Sequence, residues 1–347
     1  MPAMRKHSVL LVEPWMAGSH EAWASGYQRH SRHAVQVLAG ERQGWRATFD
    51  RSAAQLAGRV SSEPDVIVAS SMLDLATFRR ESGLLDTPAL LYFHENQLTY
   101  DRARPDLARG LVHWQSVAAA DRVAFNSRFH LDDFFDTLSH LDVDKPIAER
   151  ARREAVVLPV GIGAVAQPDL ERDPNPITVL WNHRWEYDKD PDSFVAALAE
   201  TADLPFQLIL AGEGSAAPRY EAEIRAVVGD RILHAGFVPR ATYLTLLGQS
   251  DLVVTTARQE FFGVSIAEAM AAGVVPLVPN RLAYPELLGP NLSDCLYEPG
   301  TLATRLRAAL TDPRIWKVRR EAARASGARF AWELIAPDYD ELIDSMV

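Results

Sequence analysis

Two cations in the second half of the chain have the types and spacing to bind a diphosphate. Arg184 closes the segment Trp181-Asn182-His183-Arg184 at the end of an apolar run, and Lys189 directly precedes Asp190-Pro191, where a helix is expected to begin. Guanidinium and ammonium groups bind phosphate oxygens, and a helix start adds the positive end of its dipole. Each cation alone is more often a solvated surface charge, but the pair at this turn favours phosphate binding.

A second turn in the same half carries two carboxylates. Glu260 and Glu268 are separated by seven residues and flank the start of a nearly apolar helical segment. Burying a carboxylate in such a segment is costly unless a partner hydrogen-bonds to it, which favours ligand binding over a solvated helix position. Between the two carboxylates, Gly263 and Val264 would offer backbone amides to an anion at the helix start.

Turns in the first half could also face a ligand. Gly18 permits close approach of the backbone, Ser19 is a plausible helix N-cap, and His20 is either a ligand contact or a surface histidine. The segment His94-Glu95-Asn96-Gln97 follows a buried-type run, where its side chains would bind sugar hydroxyls and phosphate oxygens or cap their own loop. Asn126-Ser127-Arg128 has the same placement, which a helix cap explains equally well.

The architecture that positions these turns follows from apolar runs alternating with helical segments. That alternation predicts right-handed βαβ units and two doubly wound parallel sheets facing a cleft, with ligands beyond the carboxyl ends of the strands. The Pro-, Gly- and Asp-rich segment 159–176 is interpreted as a linker. We therefore predict an α/β fold with a domain at 1–163, a domain at 164–330 and a closing helix at 331–347. The predicted strands are Val9–Val12, Ala34–Leu38, Val66–Ala69, Ala89–Phe93, Val123–Phe125, Val156–Leu158, Ile177–Trp181, Phe206–Leu210, Arg231–Leu233, Leu252–Thr255 and Val274–Val278.

Composition limits the classes of partner. The 347 residues include 36 Lys and Arg against 46 Asp and Glu, for a net charge of −10, so a nucleic acid would have to be met by a local basic patch. The single cysteine excludes an intrachain disulfide and a Cys-rich zinc site. No apolar run approaches the length of a membrane span and no secretory leader is recognised, so a cytoplasmic protein without a membrane is expected.

These features together resemble the retaining glycosyltransferases of GT-B architecture that carry a Glu-x7-Glu motif. Glu260 and Glu268 match that motif, Arg184 and Lys189 match its phosphate-binding pair, and Gly236-Phe237-Val238-Pro239 matches its base-pocket loop. Within that group, four segments resemble the tRNA-queuosine mannosyltransferases, and Ala17 stands where a second glycine is expected. The four segments are VEPWMAGSHEAW, ASSMLDL, LLYFHENQLTY and FNSRFHLDDFF.

The resemblance implies a GDP-mannose donor, queuosine in a tRNA anticodon loop as acceptor, an α-linked product and no cofactor. Arg184 and Lys189 would stabilise the leaving diphosphate in place of a metal, and no Asp-x-Asp pair ends a strand. Glu268 would accept hydrogen bonds from the ribose hydroxyls of the GDP-mannose donor. Phe237 and Val238, beside Gly236, would hold the guanine. Glu260 and the backbone amides of Phe262, Gly263 and Val264 would hold the sugar. His94 would lie near the reacting sugar, and Gly18 and Ser19 would border the same space.

A tRNA acceptor requires cations outside the donor pocket. We expect these at Arg42 and Arg46, which flank Trp45, and at Arg102, Arg104 and Arg109, although most such runs are solvated helix faces. The remaining predicted acceptor contacts are His20, Glu95, Asn96, Gln97, Asn126 and Ser127. Two alternatives stay open: a GT-B transferase with another nucleotide sugar and a small or lipid-linked acceptor, and a non-catalytic RNA- or nucleotide-binding protein.

Overall fold

The structure is a computed structural model that describes residues 5–41, 44–165, 176–312 and 316–347, with side chains in the last range from residue 318 onward. The chain divides into two compact units. The first unit comprises Met1–Gly163 together with Phe330–Val347, and the second unit comprises Ala164–Arg329. Each is an α/β unit built on a parallel sheet of six strands.

The first unit contains a sheet whose strand order along the edge is β2-β1-β3-β4-β5-β6, with every pair parallel. All six runs predicted as strands in this half form it, and the two central strands β3 and β4 are buried throughout. The strands are Ser8–Glu13 (β1), Ala34–Ala39 (β2), Val66–Ser70 (β3), Ala89–Phe93 (β4), Arg122–Phe125 (β5) and Val156–Val157 (β6). The helices are Gly18–His30 (α1), Trp45–Ala57 (α2), Leu75–Ser82 (α3), Leu107–Ala119 (α4), Arg128–Leu138 (α5) and Lys145–Glu154 (α6).

The second unit repeats this design with the strand order β12-β11-β10-β7-β8-β9. The five predicted strands are confirmed, and a sixth strand of two residues was not predicted. The strands are Ile177–Trp181 (β7), Phe206–Leu210 (β8), Ile232–Ala235 (β9), Leu252–Val254 (β10), Val275–Pro279 (β11) and Leu296–Tyr297 (β12). The helices are Pro191–Glu200 (α7), Ala217–Val228 (α8), Arg240–Gln249 (α9), Val264–Ala271 (α10), Tyr284–Leu288 (α11), Leu302–Thr311 (α12) and Trp316–Ala328 (α13), with 3₁₀ turns at Tyr187–Lys189, Gly229–Arg231 and Pro290–Cys295.

The strand order determines where each sheet presents its loops. In the second unit β7 and β10 are neighbours, yet the chain leaves β7 toward β8 and leaves β10 toward β11 on the opposite side. The loops that follow β7 and β10 therefore diverge and leave a crevice beyond the carboxyl ends of these strands, which is where doubly wound sheets bind ligands. The neighbours β1 and β3 create the same switch in the first unit.

The C-terminal helix Trp332–Asp344 (α14) packs on α1 of the first unit. A Cβ atom at Gly26 or at Gly161 would lie 2.0 Å or 2.2 Å from the Trp332 ring, so only glycine lets the indole seat there. Ile162 forms a bridge with Ala331, so the segment predicted as linker begins with residues that pack against the tail. None of the helices in the described ranges has both the length and the apolar character needed to cross a bilayer.

A buried carboxylate secures the tail. Asp340 of α14 is 3% exposed and accepts hydrogen bonds from Tyr27 Oη at 2.9 Å, from Ser31 Oγ at 2.6 Å and from the Arg32 amide at 2.9 Å. All three donors belong to the end of α1 or directly follow it. This network ties the last helix to the helix that follows β1.

Asp340→Ala is expected to lower the free energy of unfolding of the first unit by about 2–4 kcal/mol, because it leaves the buried Tyr27 hydroxyl and two partly buried donors without an acceptor. Chemical denaturation followed by circular dichroism measures this change. Asp338→Ala, on the exposed face of the same helix, is the control and should change it by less than about 0.5 kcal/mol. Equal effects of the two variants would contradict a role of the network in stability.

Candidate functional site

The two predicted phosphate-binding cations in the second unit lie on one carboxylate. Arg184 Nη2 is 3.7 Å and Lys189 Nζ 3.3 Å from Oδ2 of Asp188, and Arg184 also pairs with Glu186 at 3.0 Å. The Lys189 side chain is 12% exposed, whereas that of Arg184 is 52% exposed. The pKa of the neighbouring His183 is well below its ordinary value, mainly because the ring is buried and further because Lys189 and Arg184 repel a positive charge there. This ring therefore adds no third charge.

The loops after β7 and β10 are joined by further contacts of Lys189. Its Nζ lies 3.2 Å from Glu260 Oε2 and 3.2 Å from the carbonyl oxygen of Gln259. Thr256 Oγ1 donates to the carbonyls of Lys189 and Asp190 at 2.7 and 2.8 Å. The structure therefore brings the predicted cation pair and the first predicted carboxylate together at the switch between β7 and β10.

The start of α10 has the backbone geometry predicted for an anion-binding turn. Gly263 is its N-cap, with φ of +98° and no side-chain cap. This φ lies in the left-handed region, where a side chain is strained, so glycine is required here. The amide of Phe262 points toward Glu260 Oε1 at 3.5 Å, and Val264 is the first helical residue.

Glu268, in the second turn of α10, is 8% exposed and forms an ion pair with Arg240, the first residue of α9, at 2.7 Å. The loop that leads into α9 is the predicted base pocket. In this loop Gly236 has φ of +109° and Phe237 is 66% exposed. Val238 is half-buried beside it. An aromatic ring this exposed has a face available for stacking.

The turn after β1 in the first unit differs from the sequence-based expectation. Ala17, not Ser19, is the N-cap of α1, and its extended backbone (φ −150°, ψ 149°) suits any residue, so a second glycine is not needed. Ser19 is exposed within the first helical turn and the N-cap prediction for it is wrong. Gly18 has φ of +55° and is also exposed, with no atom within 4 Å of a Cβ placed on it.

His20 is not a surface histidine: it is 7% exposed and its Nδ1 lies 2.9 Å from Oε2 of Glu13, a carboxylate with no exposed surface. Oε1 of Glu13 accepts the Trp15 amide at 2.8 Å, so both oxygens are used. Burial lowers the pKa of His20, but attraction to Glu13, their hydrogen bond and attraction to Glu95 outweigh it and raise this pKa above 6.5.

His94 packs into an aromatic cage at the end of β4. Its ring centroid lies 4.3 Å from that of His20, 4.6 Å from Trp23 and 4.7 Å from Tyr92. Nε2 of His94 is buried without a partner in the part of the chain that the structure describes. Burial, followed by repulsion from His20 and His130, holds the pKa of His94 well below its ordinary value. His94 is therefore a neutral imidazole at neutral pH.

Most polar side chains around His94 support the backbone of its turn. Asn126 Nδ2 donates to the His94 carbonyl at 2.8 Å, and Asn126 Oδ1 faces His130 Nδ1 at 2.9 Å. Asn96 Oδ1 accepts the Thr99 amide at 3.0 Å. The other predicted acceptor contacts have similar internal partners. Ser127 caps α5, and the backbone amide of Gln97 donates a hydrogen bond to His113. Glu95 accepts a hydrogen bond from the side-chain amide of Gln97.

The two predicted basic clusters are regrouped by the structure. The Arg46 guanidinium lies 4.4 Å and that of Arg109 lies 5.5 Å from the ring centroid of Trp45, so these three residues form one surface. Arg109 is also paired with Asp50 at 2.8 Å and with Asp106 at 2.5 Å. Arg102 instead pairs with Asp133 of α5, Arg104 lies on an exposed turn, and Arg42 lies outside the described residues.

One group of side chains within the described ranges is close enough to share a cation. Glu13, His20 and His94 each offer a ligand atom, and these atoms lie within 4.8 Å of one another. Glu13 and His20 already satisfy each other through a direct hydrogen bond. We therefore interpret the group as a carboxylate–imidazole pair with a second imidazole packed on it.

Comparisons with known proteins cover both units. A family model described as the N-terminal region of tRNA-queuosine alpha-mannosyltransferase matches residues 8–162, and one described as glycosyl transferases group 1 matches residues 165–327. The tRNA-queuosine alpha-mannosyltransferase of Drosophila melanogaster is 30% identical over an alignment of 376 residues, which covers 99% of this chain and 98% of the fly protein. The chain belongs to the tRNA-queuosine alpha-mannosyltransferase family. It is a glycosyltransferase.

Solved structures agree with the fold of this family. Sucrose-phosphate synthase from Thermosynechococcus elongatus superposes with a TM-score of 0.75 at 17% identity, covering 98% of this chain and 99% of that one. Anabaena HepE, solved with UDP-glucose, has a TM-score of 0.73 at 18% identity, with 98% and 100% of the two chains covered. The likeness is to the GT-B architecture, in which two Rossmann-like units are combined.

Three charged residues that were not predicted from the sequence pair with predicted site residues of this mannosyltransferase-family chain. Glu13 ends β1, Asp188 lies between the predicted cations, and Arg240 begins α9 directly after the base loop. A carboxylate at the end of an apolar strand was a readable signal for Glu13. Asp188 and Arg240 look like ordinary helix-start charges, and only their contacts distinguish them.

Glu13→Gln is expected to lower the pKa of His20, because it removes the attraction that outweighs burial while burial itself remains. The raised pKa stabilises the fold fully below about pH 6.5, and this contribution is lost as the pH rises through the folded value. NMR titration of the histidine side chains measures the shift. His113, whose pKa burial lowers to about 4, is the internal control. An unchanged His20 pKa would contradict the pairing.

Proposed function

We propose that this glycosyltransferase moves mannose from GDP-mannose to queuosine in the anticodon loop of a tRNA, with retention of the anomeric configuration. The observation that carries the proposal is the full-length match to the fly tRNA-queuosine alpha-mannosyltransferase together with a matching family model for the first unit. The family model that matches the second unit is the general one for glycosyl transferases group 1, so the acceptor proposal rests on the first unit.

In the proposed mechanism the second unit stabilises the departing nucleoside diphosphate. Negative charge grows on the diphosphate while the anomeric carbon becomes cation-like, and Arg184, Lys189 and the amides at the start of α10 meet that charge. A preorganised donor of this kind typically contributes about 3–4 kcal/mol to the transition state. Supplying the charge from side chains removes the need for a divalent metal, and the leaving phosphate would take the acceptor proton from the same face.

Asp188 gives this mechanism a competing partner. In the structure its carboxylate holds the cationic groups of both Arg184 and Lys189. A diphosphate in this turn would have to share or replace those contacts. Because the cations are already ordered by the carboxylate, binding would require little rearrangement of their side chains.

The decisive assay incubates the purified protein with labelled sugar nucleotides, EDTA and either queuosine-containing tRNA or the same tRNA lacking queuosine. We expect mannose transfer from GDP-mannose to the first tRNA alone, with a product that α-mannosidase releases. Transfer of another sugar, or to small or lipid-linked acceptors only, would support the alternative GT-B function. Loss of turnover in EDTA that Mg²⁺ restores would contradict the metal-free scheme.

Lys189→Ala and Arg184→Ala are expected to lower kcat by about 100-fold or more, because each removes a cation from the diphosphate. Steady-state kinetics with GDP-mannose measure the loss, and thermal melting checks the fold. Lys145→Ala, an exposed lysine of α6, is the control and should keep full activity. Near-normal kcat in both variants would remove the pair from the mechanism.

Arg46→Glu is expected to weaken tRNA binding by about tenfold and to flatten its dependence on salt, because one phosphate contact is replaced by repulsion. Filter binding at several salt concentrations measures both quantities. Arg219→Glu, at an exposed position of the second unit, is the control. A loss of GDP binding with tRNA binding unchanged would contradict the assignment of the Trp45, Arg46 and Arg109 surface to the acceptor.

A further inference from the structure

Glu268 lies in an environment that demands a counter-charge. Its side chain is 11% exposed. Its neighbours on the same helix, Ile266, Ala267, Ala269 and Met270, have no exposed surface. A carboxylate in such surroundings is costly unless it is paired. Among the residues that the structure describes, Arg240 is the one cation that pairs with it, through Nη2 and Oε1 at 2.7 Å.

Arg240 is itself held in place by a residue of its own helix. Its guanidinium lies 5.5 Å from the ring centroid of Tyr243, one turn further along α9. Tyr243 Oη accepts a hydrogen bond from Asn182 Nδ2 at 2.9 Å, and the same amide donates to the Ser265 carbonyl at 3.1 Å. The end of β7 therefore links the start of α9 to the start of α10, which carries Glu268.

We propose that Arg240 is a positioning residue that orients Glu268 for the hydroxyls of a nucleotide ribose and so sets the preference for ribonucleotide over deoxyribonucleotide donors. The inference rests on the proposed donor function of the second unit. Arg240 occupies Oε1, so Oε2 is the oxygen of the same carboxylate that would accept a ribose hydroxyl. The location of Arg240, directly after the loop with the exposed Phe237 ring, puts this pair beside a surface suited to a base.

This arrangement predicts that the effect of Arg240 depends on the sugar of the nucleotide. Hydrogen bonds to a charged group favour a ligand by about tenfold or more, so wild-type protein should bind GDP at least tenfold more tightly than 2′,3′-dideoxy-GDP. Without Arg240 the carboxylate loses its fixed orientation. Arg240→Ala should therefore weaken GDP about tenfold, leave dideoxy-GDP nearly unchanged and bring the ratio close to one.

Calorimetric titration of the full chain with GDP and with 2′,3′-dideoxy-GDP tests this. Arg240→Lys should restore part of the ratio, since an ammonium can still pair with Glu268. Arg219→Ala, an exposed arginine that pairs with Asp192 and Glu223, is the control and should leave both affinities unchanged. The double variant Arg240→Ala/Glu268→Gln should lose no more discrimination than Glu268→Gln alone.

The outcomes separate this inference from the proposed function. If wild-type protein binds neither nucleotide, or if Glu268→Gln leaves the ratio intact, the donor site itself is wrong. If Glu268→Gln removes the ratio and Arg240→Ala does not, the donor site stands and the positioning role fails. An equal weakening of both nucleotides in Arg240→Ala, with the fold intact by thermal melting, also overturns the positioning role, because a general contact to base or phosphate would produce it.

Discussion

The requirement that a charge removed from water has a partner organises both units of this protein. In the second unit a single carboxylate, Asp188, holds the two cations Arg184 and Lys189, and Lys189 also contacts Glu260. The loops after β7 and β10 are thereby fastened to each other at the one place in the sheet where the strand order makes them diverge. A ligand with two phosphates fits this arrangement because it offers the cations the same kind of partner that they already have.

The same requirement acts differently in the first unit. Glu13 has no exposed surface, and its carboxylate is hydrogen-bonded to His20 in a pair next to the turn that carries Gly18. His94 lies against His20 and is neutral at neutral pH, because burial and repulsion from His20 and His130 lower its pKa. The pKa values of these two neighbouring imidazoles are thus shifted in opposite directions, that of His20 upward and that of His94 downward.

Much of the fold could be predicted from the sequence because doubly wound sheets leave a direct record in it. Strands buried on both faces are rich in apolar residues, and the eleven runs predicted from this pattern all became strands. The strand Leu296–Tyr297 was missed because two residues carry no pattern. The cap prediction for Ser19 rested on its residue type alone and failed, because the helix begins two residues earlier than that cap implies, at Gly18, after the extended backbone of Ala17.

The candidate site shows where such a record ends. Residue types and spacing along the chain indicated Arg184, Lys189, Glu260 and Glu268, since each lies in the loop after a strand or in the first two turns of the helix that follows. The partners of these residues could not be predicted, because an ion pair such as that of Arg240 with Glu268 depends on how two helices pack. For the same reason the sequence could not predict that Arg109 packs on the Trp45 ring or that Arg102 forms an ion pair with Asp133. The sequence by itself determined the strands, the turns between them and the chemistry available at each turn, because these depend on local patterns. Only the tertiary structure decided which charges neutralise one another, because residues far apart along the chain become neighbours only when the helices and strands pack.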